Sequence, residues 1–562
     1  MPLRRSRLLG GWTVLTIAVA LLVALPVLVV LSRVFADSHG VWAHLAATVL
    51  PQYVANTAVL LVGVGALAGL IGVSTAWLVT MHRFPGSRIF EWALLLPLAV
   101  PAYVMAYVYT DLLDYAGPVQ AVLRDLFGWQ SARDYWFPPI RSLEGAVVMM
   151  GLVLYPYVYL LARTAFLEQS LCVLEVSRTL GRGPWRNFFG VAVPLARPAI
   201  VAGLALVLME TIADYGTVSF FGVATFTTGI YRTWFGMGEP AAAAQLSAFL
   251  LLFVAALIAL ERWSRGRARY HHTTMRYKQL SPRPLRRLRA TAAMLACGLP
   301  VALGFLVPAG VLLDLALAHG DPLWGRRFLS FAGNSFVLAA VTAAAAVLIA
   351  VLLAYGVRLR PTRPSRWAVR AASLGYAVPG SVIAVGVLIP FAAFDNALDA
   401  VVRQTFGVST GLVLTGSIAV LVFAYLVRFL AVSYNTIEAS LGKISPSMDH
   451  ASRTLGHGPR RTLLKVHAPI MRGAMLTAGL LVFVDVMKEL PATLIVRPFN
   501  FDTLAVRVYR LAADERLAEA STAALTIVAV GVVPVILLSM AIARSRPGNG
   551  RRPCAPCAPV MN

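Results

Sequence analysis

Twelve stretches of this chain are long and apolar enough to read as helices crossing a lipid bilayer, at about 11–32, 55–81, 90–112, 145–162, 198–221, 241–260, 292–317, 335–357, 371–394, 411–427, 473–496 and 520–543. A spanning helix needs about 20 mostly apolar residues, because no water in the hydrocarbon satisfies the backbone. The composition excludes a soluble globule. Apolar residues make up 59% of the chain before its 43 glycines are counted, and charged residues 13%, whereas soluble domains reach only about 45–50% apolar with glycine included. The signature of disorder, low hydrophobicity with high charge, is inverted. The expected fold is an all-α integral membrane protein of about twelve transmembrane helices. The first follows "MPLRRSR", and its apolar run exceeds the roughly 7–15 residues of a signal-peptide core. It is therefore expected to stay on the chain, although "VFA" at 34–36 faintly resembles a cleavage site.

Forty-nine basic against 25 acidic residues leave a net charge of +24, which in a soluble protein would point to nucleic acid. Membrane topology explains it instead, because Lys and Arg are retained on the cytoplasmic side. With the N-terminus inside, 36 basic residues fall on inner segments and 12 on outer loops, while Lys488 lies within a span. Both termini are thus expected in the cytoplasm, with the basic inner surface drawn to anionic membrane lipid and no nucleic-acid partner. The segment 262–290 holds ten basic residues and reads as a cytoplasmic linker.

The chain also repeats itself. "SRTLGRGPWRNFFGVAVPLAR" at 177–197 recurs as "SRTLGHGPRRTLLKVHAPIMR" at 452–472, a constant offset of 275 residues. Two tandem six-helix halves follow, 1–261 and 291–543, with a flexible cytoplasmic tail at 544–562. Six spans separate the copies, so the halves share one orientation and are related by a pseudo-two-fold axis along the membrane normal. Each copy falls on a loop after the fourth span of its half, at about 168–197 and 438–472. Each reads as a short helix, a turn permitted by Gly181 or Gly456, and a second amphipathic piece ended by Pro194 or Pro469. Such knobs suit docking of a cytosolic partner, and ordinary solvated loops are the alternative.

These loops resemble the EAA loop of ABC importer permeases, whose pattern is E-A-A-x3-G-x9-I-x-L-P. Glu175-Val-Ser177, Gly181, Val191 and Pro194 match it, as do His450-Ala-Ser452, Gly456, Val466 and Pro469, with His450 replacing the leading Glu. The fused form is similar to the permeases of ferric iron importers along "ETIADYGTVSFFGVATFTTGIYRTWFGMG" (210–238), "IEASLGKISPSMDHASRTLG" (437–456) and "KELPATLIVRPFNFDTLAVRVY" (488–509). The resemblance implies an inner-membrane transport subunit of a bacterium that inserts Glu175, Ser177, Gly181, Pro194, His450, Ser452, Gly456 and Pro469 into grooves on two copies of a cytosolic ABC ATPase. It further implies ATP and magnesium on that ATPase rather than here, an extracytoplasmic substrate-binding protein, and alternating access. Thiamine, phosphonate and polyamine importers share the scaffold.

The residues themselves supply no enzyme. No G-x-x-x-x-G-K-[ST] or H-E-x-x-H occurs. Cys554 and Cys557 form a C-x-x-C in the tail with no surrounding context for zinc or redox chemistry, and Cys172 and Cys297 stand apart. No metal-ligand set is assigned. The informative groups are ionisable residues within spans, each costing about 2.5–3.5 kcal/mol at a helix centre. Glu210 and Asp214 lie four apart in the fifth span, Asp485 and Glu489 four apart in the eleventh, and the 275-residue offset maps one pair onto the other. Spacing of four predicts one helix face for each pair. Four carboxylates around one path, with Tyr215 adding a phenol oxygen, would suit a hard, highly charged cation. Structural pairing, with Lys488 neutralising Asp485 or Glu489, is the other reading. An ion-coupled secondary transporter using the same four acids as relays is a competing function.

Overall fold

The computed structural model describes residues 11–168, 183–265, 283–319 and 325–545. Among these residues, eleven helices are long and apolar enough to cross a membrane, and one bent pair makes up to twelve. In chain order the principal ones are α1 (Gly11–Ser32), α2 (Leu50–Met81), α3 (Ala102–Leu113), α4 (Leu143–Glu168), α5 (Val193–Ala213), α6 (Pro240–Arg265), α7 (Leu288–Val301) running on into α8 (Val307–Ala318), α9 (Arg326–Leu359), α10 (Gly380–Phe406), α11 (Ile418–Gly442), α12 (Ala468–Met487) and α13 (Leu517–Ser545). Large apolar side chains such as Val62, Leu70, Leu295, Leu348 and Leu476 stay exposed along them, as expected of helices whose outer solvent is lipid. The linker region contributes a two-residue parallel bridge, His82–Arg83 with Arg283–Pro284.

The duplication is visible in the packing. α2, α4 and α5 pack mutually in the first half, and α9, α11 and α12 do the same in the second. The halves, however, are interlocked. α1 packs on α9 and α10 of the second half, with the Trp12 ring edge-on to Tyr355 at 6.0 Å. Reciprocally, α7 and α8 lie against α2 and α3, where the Tyr109 hydroxyl donates to the Leu303 carbonyl at 2.7 Å. The last helices cross over as well, α6 onto α10 and α13 onto α3. As chain segments, 1–261 and 291–543 are therefore not separately packed bodies.

Several expected spans are broken, two of them at prolines. The span expected at 90–112 is two pieces bent by 91°. Pro101 has no N–H and disfavours helical backbone before it, so Val100 is extended (φ −91, ψ 120). Val378 before Pro379 is extended in the same way (φ −84, ψ 125), so the span expected at 371–394 is instead the amphipathic helix Arg363–Ala372 followed by α10. The span expected at 411–427 is shifted to α11, ending at Gly442. Pro194 and Pro469 do not end a helix. Each follows a π-turn (Phe188–Ala192, Leu463–His467) and lies in the first turn of the next helix, so Trp185–Ala213 and Pro459–Met487 each run on without a sharp bend. The wider turn absorbs the missing N–H and the ring's clash with the carbonyl upstream.

α1 and α10 meet so closely that a Cβ at Gly386 would lie 2.3 Å from the Pro26 carbonyl oxygen. Gly386→Ala is therefore expected to cost about 1–3 kcal/mol through overpacking, read as a lower midpoint in thermal unfolding of the detergent-solubilised protein. Gly310→Ala, where a Cβ meets nothing within 4 Å, is the control and should leave the midpoint unchanged or slightly raised.

Candidate functional site

The four acidic residues singled out from the sequence lie where two spanning helices stop. α5 ends at Ala213, and Asp214 is extended (φ −65, ψ 136) before the short helix Gly216–Phe220. α12 ends at Met487, and Pro491–Val496 follows after Lys488, Glu489 and Leu490. The expected spans 198–221 and 473–496 are thus interrupted, and neither acidic pair shares a continuous helix face. The side chains account for the interruptions. Asp214 Oδ1 accepts the backbone N–H groups of Thr217 and Val218, both at 3.1 Å, and Oδ2 accepts the Thr217 hydroxyl. Glu489 accepts the N–H groups of Ala492 (2.9 Å) and Thr493 (3.1 Å) and the Thr493 hydroxyl (2.8 Å). Each carboxylate caps a new helix start, satisfying amides that apolar surroundings would leave unpaired.

The remaining charge is balanced mainly by a residue that sequence reasoning placed on a loop. Arg428, on α11, is buried with its side chain 8% exposed. Its Nη1 donates to Glu489 Oε1 at 3.2 Å, and Nη2 lies 3.8 Å from Glu210 Oε2. Glu210 also accepts the Tyr376 hydroxyl at 2.8 Å. Lys488 pairs with Asp485 at 3.0 Å, which is one of the two neutralising partners considered from the sequence. So Glu210 and Glu489 are brought together through Arg428, Asp485 has its own cation, and Asp214 makes no ion pair among the described residues. The signal for Arg428 was present: a span drawn to end at 427 left an arginine one residue beyond it, facing two helices with acids to balance.

Tyr215 belongs to an aromatic cluster spanning both halves. Its ring stacks on Tyr231 at 3.7 Å between centroids, and its hydroxyl lies 3.2 Å from that of Tyr509 on the helix Leu504–Ala513. The Tyr231 hydroxyl donates to the Pro491 carbonyl. Tyr215, Ser219, Thr228, Tyr231, Arg232 and Phe235 line a cavity of about 280 Å3. The buried hydroxyls of Tyr103 and Tyr107, from α3, make no hydrogen bond among the described residues. No group of three or more His, Cys, Asp or Glu suited to hold a metal ion occurs among the described residues.

At the second repeated loop, the short helix Pro446–Thr454 is capped by the Ser445 side chain. Gly456 has φ +75, the left-handed turn for which glycine is suited. His450 is exposed, whereas Ser452 is buried with its hydroxyl 2.8 Å from that of Thr462. Arg358 at the end of α9 holds this helix: Nε and Nη2 donate to Asp449 Oδ2 at 2.9 and 2.8 Å, and Nη1 and Nη2 to the Leu441 and Ile444 carbonyls. Asp449 Oδ1 lies 2.9 Å from the buried His467 Nε2. Glu175, Ser177 and Gly181, of the first loop, lie outside the described residues, as do Cys172, Cys554 and Cys557.

Removing one partner of so shielded a pair leaves the other uncompensated, at a cost of about 3–5 kcal/mol when fully buried. Asp449→Ala is expected to raise amide exchange across 446–454 at least about tenfold, and Arg358→Ala should do the same. The double variant should be little worse than either single one, because both remove the same contact.

Comparison with known proteins places these features. The family described as the inner membrane component of binding-protein-dependent transport systems matches residues 68–270. The Fe(3+)-transport system permease protein FbpB 2 of Haemophilus influenzae is 27% identical over 94% of this chain and 97% of its own length. The ferric transport system permease protein FbpB of Actinobacillus pleuropneumoniae is 22% identical over 81% and 64%, respectively. The molybdenum transport system permease protein ModB of Escherichia coli is 30% identical, over 35% of this chain and 87% of its own. With its repeated loop, its spanning helices and these relatives, the chain belongs to the family of inner membrane permease components of binding-protein-dependent transport systems.

Proposed function

We propose that this permease carries ferric iron inward, driven by two copies of a cytosolic ATPase that engage the loops around Glu175–Pro194 and His450–Pro469, and supplied by a binding protein on the opposite side. The observation that carries the cargo is twofold. The relatives that align along most of the chain are named for ferric transport, and the groups at the two helix breaks are carboxylates and phenols. Glu210, Asp214, Asp485 and Glu489 outnumber Arg428 and Lys488, leaving an excess of negative charge that favours a cation over an oxyanion such as sulfate or phosphonate. Oxygen ligands suit a hard cation, and weak contact spread over several groups lets it leave as readily as it enters.

In this reading both termini face the cytoplasm, where the repeated loops receive the ATPase. Nucleotide closure pushes on the short helix Pro446–Thr454. Arg358 at the end of α9 passes that push into the membrane part, because Asp449 ties the two together.

The test is uptake of radiolabelled ferric ion into proteoliposomes holding the whole complex, given its iron-loaded binding protein and internal ATP. ATP-dependent uptake is expected, slowed about tenfold or more in Glu489→Gln by the loss of about 1.4 kcal/mol or more of charge stabilisation. Uptake of thiamine, phosphonate or a polyamine in place of iron would overturn the cargo. Uptake driven by an ion gradient without the ATPase would overturn the mechanism.

A further inference from the structure

We propose that Arg428 is a tethered stand-in for the cargo cation: in the cargo-free permease its guanidinium occupies the place between Glu210 and Glu489, binding the halves together until cargo displaces it. This rests on the reading of the cargo as a cation. The two carboxylates come from different halves, Glu210 from α5 and Glu489 from the break after α12, and Arg428 reaches both. Its hold on them is unequal. Glu489 has a side chain only 2% exposed and is fixed by two backbone amides and a threonine hydroxyl. Glu210 is 26% exposed, and its 3.8 Å contact with Nη2 is an ionic one, too long for a hydrogen bond.

Arg428 is also poorly satisfied for a buried arginine. A guanidinium offers five donors, yet its Nε has no hydrogen-bond partner among the described residues. Charge, more than directional bonding, keeps it there, and charge is what a multivalent cation can outbid. The fold reserves the space. A Cβ at Gly380 would lie 2.5 Å from Arg428 Nη1 and 2.7 Å from Glu489 Oε1, so any side chain at that position would intrude between them. Lys488 is engaged with Asp485, which leaves Arg428 as the cation paired with Glu210 among the described residues.

On this proposal the contact belongs to the cargo-free state, so removing the guanidinium shifts the population toward the state that hydrolyses ATP. In proteoliposomes of the whole complex, Arg428→Met is expected to raise cargo-free ATP hydrolysis about tenfold, with stimulation by iron-loaded binding protein falling toward none. Arg428→Lys keeps the charge and should keep cargo-free hydrolysis low. Glu210→Gln, which loosens the contact between the halves while leaving Arg428 on Glu489, should also raise it, and serves if Arg428→Met does not fold. Cargo-free hydrolysis at the wild-type rate in both Arg428→Met and Glu210→Gln would overturn the proposal, as would hydrolysis and uptake falling together in Arg428→Met while Arg428→Lys restores neither. Failure of the wild-type complex to take up ferric ion would instead overturn the cargo, a separate readout from cargo-free hydrolysis.

Discussion

Ionised groups placed within membrane-spanning stretches have no bulk water to solvate them, and this constraint organises the centre of the molecule. Each of the four carboxylates is met by groups of the chain itself: amides and hydroxyls for Asp214 and Glu489, Lys488 for Asp485, Arg428 and the Tyr376 hydroxyl for Glu210. Two of these groups also end a helix and begin the next. The same side chain that places a negative charge in the permease therefore shapes the backbone around it, and the short helices Gly216–Phe220 and Pro491–Val496 are consequences of that double duty. Truncating Asp214 or Glu489 removes charge and a helix cap together.

The second organising feature is the interlocking of the halves. α1 lies on the second half and α7 with α8 on the first, while Tyr215 meets Tyr509 and Tyr231 meets Pro491 where the two helix breaks face each other. Motion of one half relative to the other must be accommodated at these contacts. Most are apolar or phenolic and tolerate sliding, whereas the contact of Arg428 with Glu210 is ionic and has a defined made and broken state. Packed interfaces of this kind switch between discrete arrangements more readily than they deform.

Much of this was legible in the residues. Hydropathy located the spanning stretches, because apolar runs of that length have few other solutions, and the 275-residue offset exposed the duplication and the repeated loops. Helix continuity was not legible. A window average cannot see that Asp214 caps the amides of Thr217 and Val218, or that a π-turn lets Pro469 sit inside a helix instead of ending it. The partner of Glu210 escaped for a related reason. Hydropathy carried the tenth expected span only to residue 427, although helix α11 continues to Gly442 with Arg428 on its buried side. Spacing of four placed Glu210 with Asp214; tertiary packing places it with Arg428, 218 residues away in the chain. The exchange of first helices leaves no local signature at all, since α1 is apolar whichever half it covers.

Glu210 and Arg428 are expected to be energetically coupled across the halves. A double-mutant cycle measures this directly: Glu210→Gln, Arg428→Met and the pair together, compared by the thermal stability of the purified complex. The double variant is expected to lose less than the sum of the two single losses by about 1 kcal/mol or more, as close buried charge pairs do. Simple additivity, within about 0.3–0.5 kcal/mol, would contradict it.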